Sequence, residues 1–173
     1  MNPLCANFNE LYERHLCRHS QFGINLQHLI GVVVTYLCLY GILYSGTGSI
    51  WPLVVGTVLY LVVIVLNVPA RLAGVTFLFV GLLFAGFATI PLLPWWLYVA
   101  VMLVAYQIQV WTHRYWDHAF DMTKFNEKYH KGWRLFILLS VYELPILLKY
   151  LLFEGSGPVG ALSEAKHDVA PIS

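Results

Sequence analysis

The sequence predicts an all-α fold: a polytopic bundle of four to five transmembrane helices with a cytoplasmic N-terminus. Three observations lead to it. Of the 173 residues, 59% are hydrophobic and 11% are Asp, Glu, Lys or Arg, less than half the charged fraction of about 25% usual in soluble domains. From His19 to His113 the only formal charge is Arg71, and no ordinary water-exposed surface can be built from that. Turn-forming and polar breaks cut the apolar region into segments close to the roughly 20 residues that a span requires. A soluble globular fold is excluded on these grounds. Cys5, Cys17 and Cys38 are odd in number and unpatterned, which excludes a disulfide scaffold. A net charge of +1 without a basic stripe excludes a nucleic-acid partner.

The first span is expected from about Asn25 to Tyr44, ending at Ser45-Gly46-Thr47-Gly48. The second runs from about Ile50 to Leu66 and ends at Asn67-Val68-Pro69. The third starts near Arg71 and reaches Ile90. Pro91-Leu92-Leu93-Pro94, too rich in proline to stay helical, separates it from the fourth, Trp95 to about His113. Trp133 to Phe153 is a fifth candidate that holds Glu143, Pro145 and Lys149, so it either spans with a kink or lies partly in the interface. Residues 1–153 form one membrane-embedded domain, and a loose tail rich in Gly and Pro is expected from Glu154 to Ser173. Met1 to Cys17 is polar, so no cleavable signal peptide is expected and the first span itself directs insertion.

Cytoplasmic loops carry the excess of Lys and Arg. Arg14 and Arg18 precede the first span, Arg71 lies between the second and third, and Arg114, Lys124, Lys128, Lys131 and Arg134 follow the fourth, while the two other loops have neither residue. The N-terminus is therefore placed in the cytoplasm. Trp51, Trp95 and Trp96 then mark the far interface, and Trp111, Trp116 and Trp133 the cytoplasmic one. A bacterial inner membrane and an endoplasmic reticulum membrane both suit the sequence, which has no retention or transit signal.

Orientation gathers the polar residues. His15, His19, Asn25 and His28 lie at the cytoplasmic end of the first span, and Gln109, His113, Asp117 and His118 at that end of the fourth. With His130, six of the seven histidines fall on one side of the membrane. His15 and His19 form an i,i+4 pair, and Gln109, His113 and Asp117 an i,i+4,i+8 row, so each set can share a helix face. His28 lies about one turn inside the bilayer, where an unsatisfied polar group costs several kcal/mol, so it needs a partner. One reading is structural: His28 and His113 hydrogen-bond between helices, as polar residues do in membrane bundles. His130 and His167 are solvated, Arg71 anchors a helix end, Asn25 and Asn67 cap helices, and Glu143 holds a kink or pairs with Lys149 or Arg134. The other reading is chemical. Several neutral imidazoles with a carboxylate and an amide make a first-row transition-metal environment, and iron suits redox chemistry on lipids at a membrane surface. No H-E-x-x-H motif of zinc hydrolysis is present.

Tyr12, His15, His19, Asn25, His28 and Gly31, followed by Gln109-Val110-Trp111-Thr112-His113 and Asp117, resemble the pattern of the 2-hydroxy fatty acid dioxygenase family, which makes odd-numbered fatty acids from phytosphingosine-derived acids. The resemblance runs from about Tyr12 to Phe153. The family has Gly at the position of Thr112 and Glu at that of Asp117. The resemblance implies an Fe(II)-dependent membrane dioxygenase that uses O2 to remove one carbon from a long-chain 2-hydroxy fatty acid by alpha-oxidation. It implies His19, His28 and His113 as metal ligands, with His15 or Asp117 as a further ligand. Asp117 and Gln109 would take part in catalysis, Gln109 and Asn25 would orient imidazoles, and Arg114 or Arg71 would hold the substrate carboxylate. Two rivals remain open. A di-iron hydroxylase or desaturase is suggested by His15-x-x-x-His19, but such enzymes use about eight histidines, including adjacent pairs, and this chain has seven and no such pair. The second is a non-enzymatic lipid-binding or assembly protein. The oligomeric state is not legible in the sequence.

Overall fold

The structure, a computed structural model, describes residues 7–116, 127 and 132–154. The expectations for Asp117, His118, His130, His167 and the lysines between 124 and 131 lie outside these residues, as do those for the tail beyond Glu154. The described chain is helical: α1 (Phe8–Leu16), α2 (Phe22–Thr47), α3 (Trp51–Asn67), α4 (Ala70–Phe87), α5 (Trp95–Trp116) and α6 (Trp133–Lys149), the last continuing as a wider π turn over Tyr150–Glu154.

Helix α1 lies within the N-terminal stretch expected only to be polar, although its pattern is clear. Asn7 caps it, its side-chain oxygen accepting from the backbone N–H groups of Asn9 and Glu10. Phe8, Leu11 and Tyr12 follow at helical spacing and are buried, with Phe8 tilted against Tyr142 of α6 at 6.4 Å between ring centroids. The helix stops at Leu16. His19 is therefore in the α1–α2 connection and not on a continuing helix face, as the i,i+4 reading had it.

Three helices are long and apolar enough to cross a membrane by length and composition: Phe22–Thr47, Ala70–Phe87 and Leu135–Glu154. Thus the segment whose span was least certain qualifies. Trp51–Asn67 is apolar but shorter. Trp95–Trp116 has 22 residues, but Gln107, Gln109, Thr112, His113 and Arg114 dilute its apolar character, because one face of this helix serves the site described below.

Close approach between α2 and α5 sets their register. A Cβ on Gly41 would stand 2.4 Å from the Tyr98 ring, one on Gly31 2.3 Å from the Gln109 amide, and one on Gly23 3.1 Å from Trp116. Partners step back along α5 as the glycines step forward along α2, so the two helices are antiparallel and in backbone-near contact. Relative to α2, α6 is also antiparallel: Glu143 meets His28, and the Tyr150 hydroxyl donates to the Ser20 carbonyl at 2.9 Å. Consequently α5 and α6 are parallel. Trp133, ten residues before Glu143, lies about 15 Å from the His28 level toward the middle of the bundle, and not beside Trp116 at the interface as the sequence reading placed it.

The C-terminal end of α6 is tied to the histidine end of the bundle. Glu154, assigned to the loose tail from sequence, accepts a short hydrogen bond from the Tyr12 hydroxyl and pairs with Lys149 at 3.3 Å. Lys149 also lies 3.7 Å from the Tyr12 ring centroid, and the Arg71 guanidinium 4.7 Å from that of Phe153. Burial, with the Glu154 carboxylate beside it, pushes the Tyr12 hydroxyl above its ordinary pKa.

Candidate metal centre

Two helices and one connection deliver imidazoles to a single point. His19 comes from the α1–α2 connection, His28 from the second turn of α2 and His113 from the last turn of α5. Their ring centroids are 4.6, 4.9 and 5.2 Å apart, each pair edge to face. One potential ligand atom from each lies within 4.8 Å of the others. A metal held by imidazole nitrogens at about 2.1 Å needs those nitrogens about 3.0–3.4 Å apart, so the three would have to draw closer together to share one.

Hydrogen bonds decide which nitrogens are available. His19 Nδ1–H donates to the His15 carbonyl at 3.2 Å, and His28 Nδ1–H donates to Glu143 Oε1 at 3.1 Å. Both rings therefore turn Nε2 toward the cluster as the lone-pair nitrogen. His19 Nε2 and His28 Nε2 are buried with no hydrogen-bond partner among the described residues. Buried polar atoms are normally satisfied, and two lone pairs converging without a donor between them are what a cation would use. The carboxylate–imidazole pair of Glu143 and His28 is the usual support of a histidine ligand, fixing tautomer and ring orientation.

Asn25, fully buried at 0% exposure, holds the connection that carries His19. Its Nδ2 donates to the His19 and Gln21 carbonyls at 2.7 and 2.8 Å, and its Oδ1 accepts from His15 Nε2 at 2.8 Å. It is not a helix cap, since Gln21 is the N-cap of α2. It holds the His15 imidazole directly, whereas its effect on His19 runs through the backbone. His15 stands beside the cluster: its ring stacks on His19 at 4.1 Å, and its Nε2 is engaged by Asn25. Burial pushes the His15 imidazole down to about 3. Burial, then the neighbouring imidazoles, pushes His19 well below the ordinary histidine range. Both rings are thus neutral at physiological pH, the state in which an imidazole binds metal.

Gln109 Nε2 reaches the His28 carbonyl at 3.4 Å, so it braces the α2 backbone. Glu143 pairs with His28, across 115 residues of sequence, while Lys149 pairs with Glu154; the Arg134 side chain lies outside those described. A polar residue in an apolar helix was the available signal for it, but periodicity within α6 cannot name a partner on α2. The arginines that line the cavity differ from those named from the sequence. Arg71 and Arg114 are exposed and do not line the cavity against the histidines; Arg14, buried to 8% exposure, and Arg18 do.

That cavity measures about 550 Å³. The histidines, Arg14 and Arg18 form one end, and Val32, Tyr36, Tyr106, Val110, Phe136, Leu139 and Ile146 form mainly apolar walls. Tyr36, Tyr106 and Phe136 lie seven or eight residues from His28, His113 and Glu143 along their helices, so the cavity extends about 10–12 Å toward the bundle middle. Comparison with family models, with curated proteins and with solved structures finds no match for this chain.

Proposed function

We propose that this chain is a multi-pass membrane protein of four to five spans that acts as an Fe(II)-dependent dioxygenase, shortening a long-chain 2-hydroxy fatty acid by one carbon. The observation that carries this reading is the convergence of the His19, His28 and His113 nitrogens at the head of an apolar cavity. A balanced reaction takes one 2-hydroxy acid and one O2 to the acid one carbon shorter, CO2 and water. Iron held by the three imidazoles would supply the O2 reduction that no side chain present can perform. The remaining work falls to this chain's own residues. Glu143 holds the proton on His28 Nδ1, and the His15 carbonyl does the same for His19, so that the opposite nitrogens stay available. Asn25 fixes the connection that presents His19. The apolar walls exclude water from the reacting carbon and accept the acyl chain, each buried CH2 contributing about 0.8 kcal/mol.

A single trio also bears on the di-iron alternative. Among the described residues one group of three metal-ligating side chains is found, too few donors for two irons. As to topology, Arg14, Arg18, Arg71 and Arg114 all stand at the histidine end of the bundle, in or beside α1 and at the ends of α4 and α5, which supports a cytoplasmic N-terminus under the rule that basic loops stay inside. The host is then a bacterial inner membrane or an endoplasmic reticulum membrane.

The test is elemental analysis of detergent-purified protein followed by O2 uptake with a 2-hydroxy long-chain acid. One iron per chain and one O2 consumed per CO2 released are expected. Two irons would favour a hydroxylase, and a metal-free protein would favour a lipid-binding role.

Glu143→Gln gives a finer test. The amide oxygen can still accept from His28 Nδ1, so the apoprotein should fold with nearly unchanged thermal stability. Loss of the negative charge should lower metal affinity about 10–100-fold, as read by metal titration. Unchanged affinity would show that the carboxylate does not support the ligand.

A further inference from the structure

One side of the cavity is left open by the described helices. α5 and α6 each pack on α2 but make little contact with each other. Along the gap, Tyr106 and Val110 of α5 and Phe136 of α6 line the cavity while remaining 54%, 38% and 62% exposed. The same side chains therefore face both the cavity interior and the outside of the bundle. Tyr106 and Phe136 lie about 10 Å from the histidine level toward the bundle middle. In a membrane this depth belongs to acyl chains and not to headgroups.

The two ends of the cleft differ in chemistry. At the histidine end stand Arg14 and Arg18, and among the described residues the carboxylate that lines the cavity, Glu143, is engaged by His28. A guanidinium buried at the head of an apolar cleft recognises a carboxylate through charge-assisted hydrogen bonds. The opposite end offers only rings and branched aliphatic groups. Charge complementarity thus selects an occupant with one anionic head and one apolar tail.

We propose that the cleft between α5 and α6 is a lateral portal through which the single acyl chain of a membrane-dissolved carboxylic acid enters the cavity, its carboxylate held by Arg14 with Arg18 beside it. The inference rests on the reading of this cavity as a lipid site, and it adds the route and the head-group partner. A water-soluble short-chain acid would gain little from such a cleft, because its affinity would lack the burial of the tail.

Photolabelling of the full chain in phospholipid nanodiscs tests it. The probe is a long-chain carboxylic acid with a diazirine in mid-chain. Saturable labelling of the peptides containing Tyr106 and Val110 and of those containing Phe136 and Leu139 is expected. Unlabelled long-chain acid should compete and its methyl ester should compete roughly tenfold less well. Arg14→Gln should weaken capture by a similar factor. Val110→Trp, which fills the cleft without touching the head group, should suppress labelling while leaving metal content unchanged. Labelling spread equally over the outer faces of α3 and α4 would overturn the portal. So would equal competition by the ester or by added phospholipid, or labelling indifferent to Val110→Trp. Metal content and O2 uptake measured on the same preparation separate the two readings. Protein that binds iron and consumes O2 but labels elsewhere overturns the portal alone. Metal-free protein labelled along α5 and α6 overturns the dioxygenase and leaves the portal standing.

Discussion

Replacing His28 by alanine is expected to reduce bound metal below detection while the chain still inserts into the membrane. Insertion depends on apolar length and loop charge, and His28→Ala alters neither. Metal binding depends on three donors converging, and His28 is the most buried of them, at 7% exposure. Its removal also leaves Glu143 without the imidazole to which it is bonded. Elemental analysis of wild-type and variant protein, purified side by side, checks the outcome, with membrane fractionation as the control for insertion. Retention of full metal by His28→Ala would exclude the trio as the binding site. His113→Ala should behave alike, since it is the one ligand that α5 contributes.

The second large effect is expected from Asn25→Ala. One amide satisfies two backbone carbonyls and one imidazole in a fully buried position. Alanine strands all three groups, and a buried polar group left without its partner costs about 1–3 kcal/mol. A loss of about 3 kcal/mol or more is therefore expected, visible as a lowered unfolding temperature in detergent. Asn25→Asp makes a useful contrast. It can keep the bond from His15 but loses the two donated to carbonyls, and so should be impaired as well. A variant of Asn25 that unfolds like the wild type would show that the α1–α2 connection is held by other contacts. Metal affinity should fall together with stability, because His19 is carried by the same connection.

Much of this was legible in the residues themselves. Apolar segments bounded by Pro69, Pro91 and Pro94 mark where helices stop, since proline removes a donor and restricts the residue before it. The count of turns between His28 and His113 places both at one end of the bundle, because helices joined by short connections alternate in direction. The family resemblance implied His19, His28 and His113 as metal ligands, and the structure displays their proximity.

Other features were misjudged for identifiable reasons. His15 and His19 share helical spacing, yet the helix ends at Leu16 and the two rings play different parts, one stacked and bonded to Asn25, the other turned into the cluster. Spacing states what a continuous helix would do and cannot show that the helix continues. Arg14 and Arg18, immediately before His15 and His19 in sequence, line the cavity, whereas Arg71 and Arg114 do not, because α1 folds over the end of the bundle. The direction of α6 reverses the expectation for Trp133, and Glu154 proves to be the fastening of α6 to α1.

Composition and patterning by themselves determined that this chain is helical and apolar enough for a membrane and that its histidines gather at one end, because those properties follow from transfer energies and from the rise per residue. Which histidine nitrogens point inward, which carboxylate supports them, which guanidinium lies at the head of the cavity and where the bundle stays open were decided only by tertiary packing. Those outcomes depend on contacts between residues as much as 142 positions apart, whose energies no local pattern encodes.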